Sequence, residues 1–212
     1  KLLDAYKSRQ LPLKELEESA TRIKQLKRKR EQRFAPGEPG AEAAGASLAA
    51  RICRESVAVL KDERKLLPLK SGEKSMGVIF PQFSRLDANV MIEREVLDEK
   101  EFMRIEFQKF GFTPEIQIVS FEPTEAEIQQ GVTLAKHSDL TVLFCFDAHL
   151  YPANKNLLDA IQAAARELVV DLLRDPYDAD YIQEGVAGLT DFGWRACQIK
   201  AAIEKMCSAP LF

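Results

Sequence analysis

Two short stretches concentrate the side chains able to do chemistry. Asp147 and His149 stand at alternate positions just past a wholly apolar run, LTVLFCF (140–146). A carboxylate that orients an imidazole is the arrangement used for proton transfer, so the two form a candidate acid–base pair. The competing account is a loop whose polar groups satisfy backbone donors. The second stretch is RDPYDAD (174–180). Arg174, Asp175 and Asp178 can pair with one another there, and Pro176 fixes the turn. Tyr177 offers a ring to an interface and a hydroxyl for a hydrogen bond. A structural or interface role competes with direct substrate contact in this loop.

Asp147, His149, Arg174, Asp175, Tyr177 and Asp178 are therefore the substrate or interface candidates. Familiar catalytic and nucleotide signatures are missing: no GxGxxG, no GxxxxGK[ST] and no GxSxG occurs. His137 and His149 are the two histidines, and no cysteine has a histidine at zinc spacing. His137, beside Ser138 and Asp139, reads as a helix-terminal cation. The expectation is no catalytic residue, no metal and no cofactor in this chain.

These loops need strands and helices to hold them. MGVIF (76–80), EIQIVSF (115–121), LTVLFCF, LVVDLL (168–173) and AGLTDFG (187–193) read as strands. Between them lie helical patterns over 93–110, from Thr124 to about His137, 153–166 and 194–207, with a short helix near 178–184. Thr124 and Glu127 fit a capping box. Ser47 can cap a helix carrying Leu48, Ile52 and Val57. Alternating strands and helices predict an α/β fold, a doubly wound αβα sandwich with a mostly parallel sheet. In such a sheet, ligands bind outside the carboxyl ends of the strands, where both candidate loops fall.

The first 46 residues differ from the rest. They hold 11 Lys/Arg against 7 Asp/Glu, whereas residues 47–212 hold 19 against 26. Leu2 to Ser8 read as a helix end, Arg9 to Leu11 as a turn, and Pro12 as the first position of a new helix. That helix carries an apolar face of Leu13, Leu16, Ala20, Ile23 and Leu26. Its acidic residues come first and its basic cluster last, which complements the helix dipole. No aromatic interleaves the cluster, so a solvated helix end explains it better than nucleic-acid binding. Residues 35–46 (APGEPGAEAAGA) read as a Pro/Gly linker. No apolar run is long enough to cross a membrane as a helix. Cys53, Cys145, Cys197 and Cys207 read as buried free thiols, which favours a reducing, cytoplasmic setting.

Three stretches together resemble family 3 glycoside hydrolases. LLDAYKSRQLPLKELEESATRIKQLK (2–27) is similar to the segment that closes the family's barrel domain. SLAARICRESVAVLKDERKLLPLK (47–70) is similar to the helix and loop that follow, and LLRDPYDAD (172–180) resembles the family's LRNPYD, especially in β-N-acetylglucosaminidase-like members. The ending, Phe192-Gly193 followed by a helix and Pro210, also matches. The resemblance implies a (β/α)8 barrel joined to this sandwich, with residues 1–34 as the barrel's last one or two helices, 35–46 as the linker and 47–212 as the C-terminal domain. It implies a retaining mechanism whose two catalytic groups stand about 5–5.5 Å apart. In the N-acetylglucosaminidase branch both lie in the barrel, before Lys1. In the glucosidase branch a C-terminal-domain glutamate supplies the acid, but the loop after LTVLFCF offers Asp147 and no Glu.

The reading that follows is a domain fragment, inactive alone, that supports its own barrel domain and meets carbohydrate only through the full enzyme. Nucleic acid and membrane are not expected partners. The apolar stripe of the N-terminal helix is expected to be covered, for example in a dimer. The alternative is a self-contained αβα module binding a small ligand or partner.

Overall fold

The computed structural model describes residues 2–8, 12–33, 41–72, 74–84 and 98–208. The chain divides into two compact units, residues 1–46 and 47–212.

The first unit contains α1 (Leu2–Lys7) and α2 (Leu13–Arg33). Pro12 stands just outside α2, and its carbonyl accepts from Glu15 N and Leu16 N. On α2, Leu13, Ile23 and Leu26 are each more than half exposed. The turn expected over Arg9 to Leu11 lies outside the described residues.

Part of the segment read as a linker is helical. Residues 35–40 are outside the described part, but Ala41–Ser56 forms one helix, α3. The segment 41–46, AEAAGA, is mostly alanine, the residue with the highest helix propensity, and this outweighs its single glycine. Ser47 is consequently inside α3 rather than at its cap. Val57 is not helical either. It is buried just before an additional strand, β1 (Ala58–Lys61), which the sequence reading missed.

The second unit is built on a six-stranded sheet. After β1 come β2 (Met76–Pro81), β3 (Glu115–Val119), β4 (Leu140–Phe146), β5 (Glu167–Leu173) and β6 (Ala187–Thr190). The spatial order is β1-β6-β5-β4-β2-β3. Only β1 runs antiparallel, against β6; the other four pairings are parallel. The central strands β2 and β4 are buried at every position, as strands covered on both faces must be.

The two faces carry separate cores. On one, α4 (Glu99–Gln108), α7 (Ala196–Cys207) and the end of α3 contribute Phe102, Met103, Phe107, Ile199, Ile203, Met206 and Cys53. These pack on Val78, Phe80, Val142, Phe144, Val169 and Leu189. On the other, Ile128 and Leu134 of α5 (Glu125–His137) join Leu158 and Ile161 of α6 (Pro152–Ala164). They cover Ile79, Leu143, Val170 and Leu172. Alternate residues of β4 and β5 thus serve opposite cores, the period-two consequence of the strand pleat. The result is the expected doubly wound αβα sandwich.

Local signals explain several boundaries. Thr124 caps α5, with the Thr124–Glu127 box present in both directions. Pro152 opens α6, where its missing N–H costs nothing. No helix among the described residues is long and apolar enough to cross a membrane.

Candidate functional site

The chain leaves β2 for β3 on one side and later fills β4 on the other, so the strand order reverses between β2 and β4. Their carboxyl ends flank the crevice where doubly wound sheets hold ligands. Aromatic rings occupy this crevice. Phe83, 1% exposed, sits with ring centroids 5.5 Å from Phe146 and 5.0 Å from Trp194. Phe121 lies tilted against Phe146 at 4.8 Å and edge-on to Tyr151 at 5.1 Å. The polar chemistry is displaced by one strand, to the ends of β4 and β5.

The backbone there is unusual. Asp147, immediately after β4, has φ +42, and Arg174, immediately after β5, has φ +81. Phe192, just past β6, has φ +56 and is about half exposed. Left-handed conformations are costly for residues with a Cβ and persist only when their surroundings enforce them. Hydrogen bonds do so here. Leu150 N and Tyr151 N donate to Asp147 O, and Arg174 N donates to Gly193 O.

All six candidate residues come together on this rim; Arg174 meets Asp175 as the sequence suggested, but Asp147 and His149 do not pair with each other. The carboxylate that holds His149 is Asp178, not Asp147. Asp178 Oδ1 lies 3.0 Å from His149 Nδ1. The same carboxylate accepts from Ala148 N at 2.7 Å and His149 N at 2.8 Å. Asp178 can do this because Tyr177–Tyr181 winds into a short 3-10 turn that carries it inward, leaving its side chain 2% exposed.

Asp147 pairs instead with Arg174, whose Nη1 lies 3.0 Å from Oδ2. The approach lacks hydrogen-bond angles, and neither oxygen of this buried carboxylate accepts a hydrogen bond. Burial pushes the Asp147 carboxyl above its ordinary value, against the opposing pull of Arg174. Arg174 Nε also reaches Asp175 Oδ2 at 3.4 Å. Asp175 Oδ1 accepts from Tyr177 N, closing the turn. Tyr177 is 74% exposed, with its ring edge-on to His149 at 5.6 Å. Donor atoms of Asp147, His149 and Asp175 lie within 4.8 Å of one another, a spacing that admits a metal ion.

The backbone path matches solved structures. A family 3 β-N-acetylglucosaminidase from a Paenibacillus species aligns over 97% of this chain with a TM-score of 0.73 at 19% identity. A fungal multi-domain family 3 β-N-acetylglucosaminidase aligns over 97% at 0.63 and 19% identity. A β-glucosidase from Listeria innocua aligns over 99% at 0.58 and 16% identity. This is the C-terminal domain fold of family 3 glycoside hydrolases. The chain spans 39%, 23% and 33% of the lengths of those three structures, so the fold corresponds to a part of them. No protein-family model and no curated protein matches the sequence.

Within this family 3 domain fold, two further buried carboxylates lie outside the candidate set. Asp171 lies in the middle of β5 and Asp191 just after β6, both 0% exposed. Neither oxygen of Asp171 has a hydrogen-bond partner, while Asp191 Oδ1 accepts from Gly193 N at 3.0 Å. Burial, and then the charge of Asp191, raises the Asp171 carboxyl well above its ordinary value. Burial pushes Asp191 up to about 7. The available signal was an aspartate inside the apolar run LVVDLL, which a strand buried on both faces rarely carries.

Two open grooves of about 600 and 620 Å³ lie elsewhere. One is between α3, α4 and α7, lined by Arg54, Glu106, Lys109 and Lys200, and the other lies along β3 and α5. His137 is remote from the rim, its Nδ1 2.7 Å from Thr133 O at the end of α5.

Proposed function

We propose that this chain is the C-terminal αβα domain of a retaining family 3 glycosidase of the β-N-acetylglucosaminidase type. In this reading residues 1–34 close the barrel that holds the catalytic pair. The observation that carries it is the likeness over 97% of the chain to a β-N-acetylglucosaminidase, at a TM-score of 0.73. The quoted barrel-closing stretch and LLRDPYDAD add the same family in the same order.

The domain's own task would be support and recognition. Leu150, Tyr177 and Phe192 expose large apolar surface beside Arg174 and Asp175 at the strand ends. Such a rim suits a cleft wall or a domain contact, where rings pack on sugar or protein and charged groups orient the partner.

Retaining hydrolysis needs a nucleophile and an acid on opposite faces of one bond. The reading therefore expects no release of 4-nitrophenol from the N-acetyl-β-glucosaminide by the purified chain. Turnover that follows the protein through purification would overturn it.

A further inference from the structure

We propose that Asp147, His149 and Asp175 form a binding site for a zinc-type divalent cation, which displaces the Arg174 guanidinium from between the two carboxylates. The inference is independent of the glycosidase reading.

Three observations carry it. Donor atoms from the three side chains lie within 4.8 Å of one another. Asp147 is 1% exposed, and neither of its oxygens accepts a hydrogen bond. A buried carboxylate is costly unless it is hydrogen-bonded, paired or bound to a metal, and its present pairing is a single contact with Arg174. Third, His149 is held as a ligand histidine is held. Metal-binding imidazoles commonly give their second nitrogen to a carboxylate, which sets the tautomer and aims the ring. Asp178 does this at Nδ1, and its own position is secured by two backbone N–H groups. Nε2 is then the ring nitrogen not engaged by Asp178, and it is the one the proposal gives to the cation.

The resident cation can yield. The Arg174 side chain is 45% exposed and projects from the rim, so it can turn into solvent. Replacing one positive charge by two between two carboxylates improves the local balance. Asp175 is partly exposed and can close toward the held His149, to the roughly 2 Å bonds zinc makes with oxygen and nitrogen. Two oxygens and one imidazole suit zinc, cobalt or manganese better than calcium, which takes six to eight oxygens.

The test is calorimetric titration of zinc chloride, and separately calcium chloride, into the purified chain near neutral pH. One zinc per chain is expected, with calcium binding at least tenfold more weakly (about the discrimination a nitrogen ligand supplies). Asp175→Asn and His149→Gln should abolish that ion with the circular dichroism spectrum retained. Arg174→Gln should bind zinc more tightly than the parent chain, because the competing cation is gone. The Asp175 and Arg174 variants alter partly exposed side chains, so they remain informative if the histidine variant misfolds. Failure of both the parent chain and Arg174→Gln to bind zinc overturns the proposal. So does zinc binding unchanged by Asp175→Asn, or calcium binding as strong as zinc.

Discussion

His149 Nδ1 and Asp178 Oδ1 lie 3.0 Å apart across 29 residues of sequence, and the Asp178 carboxylate also takes the N–H groups of Ala148 and His149. One buried side chain thus ties the loop after β4 to the turn after β5. Asp178→Ala would leave two backbone donors and an imidazole without an acceptor. A fully buried donor left unpaired costs about 1–3 kcal/mol, less where water can reach it, and removing one partner of a buried ionic contact costs about 3–5, so about 3–5 kcal/mol in total is expected. Asp178→Asn, which keeps one acceptor oxygen, should cost less. His149→Gln should cost least, because the backbone bonds survive. Urea unfolding of the three variants checks this order, and equal losses would show that the tie is not centred on the carboxylate.

The buried carboxylates of β5 and β6 predict an unusual pH dependence. Burial raises Asp171 and Asp191 above the ordinary aspartate value of 3.8, Asp191 to about 7. The folded chain therefore binds more protons than the unfolded chain between those limits, and stability falls as pH rises through that window. The Asp191 contribution is fully present below about pH 4 and lost as pH rises through about 7, and that of Asp171 is likewise lost as pH rises through its raised value. Asp171→Asn removes one titrating group without changing its shape. It should be more stable than the parent chain at pH 8 by on the order of 1–3 kcal/mol, with a smaller difference at pH 5. Thermal melts at the two pH values are the check. A variant less stable than the parent at pH 8 would mean that the carboxylate is satisfied in solution.

Glu127 gives the opposite sign. Burial pushes its carboxyl up, but hydrogen bonds from Thr124 and Ser120 outweigh this and hold it below the ordinary value. Backbone N–H and hydroxyl of both residues reach its oxygens at 2.7–2.8 Å. Its stabilisation is present above pH 4.5 and lost as pH falls through the lowered folded value. Glu127→Ala should cost about 1–2 kcal/mol at pH 7 and less at pH 3. Urea unfolding at both pH values measures the difference.

Which features were legible follows from how local their causes are. The capping box of α5 and the apolar run of β4 are written in adjacent residues, and both stand where expected. β1 was hidden because VAVLK continues the apolar spacing of the preceding helix. Only pairing with β6, some 130 residues later, draws it into a strand. The rim residues were recognisable from their place after strands, and so was the Arg174–Asp175 contact, yet the partners of His149 and Asp147 were not. Asp178 approaches His149 because a 3-10 turn folds inward, and Arg174 approaches Asp147 through left-handed backbone at both residues. Sequence spacing contains neither event. The start of α3 was masked by nearby proline and glycine, which drew attention from the alanines that carry the helix.

Gly77 tests how closely α5 and the sheet are fitted. It lies in β2, paired with Thr141 of β4 and Glu115 of β3. A Cβ there would come 2.6 Å from Ser138 Oγ and 3.0 Å from Leu134 Cγ. Ser138 is buried, and its hydroxyl donates to Leu134 O at 2.9 Å, so it cannot move without losing that bond. Gly77→Ala should destabilise the chain by about 1–3 kcal/mol through overpacking. Ser138→Ala removes the nearer obstacle. In a double-mutant cycle the pair should therefore lose less than the sum of the single changes, with a coupling of at least about 0.5 kcal/mol. Strict additivity in urea unfolding would show that Leu134, rather than the serine hydroxyl, sets the limit on this close approach.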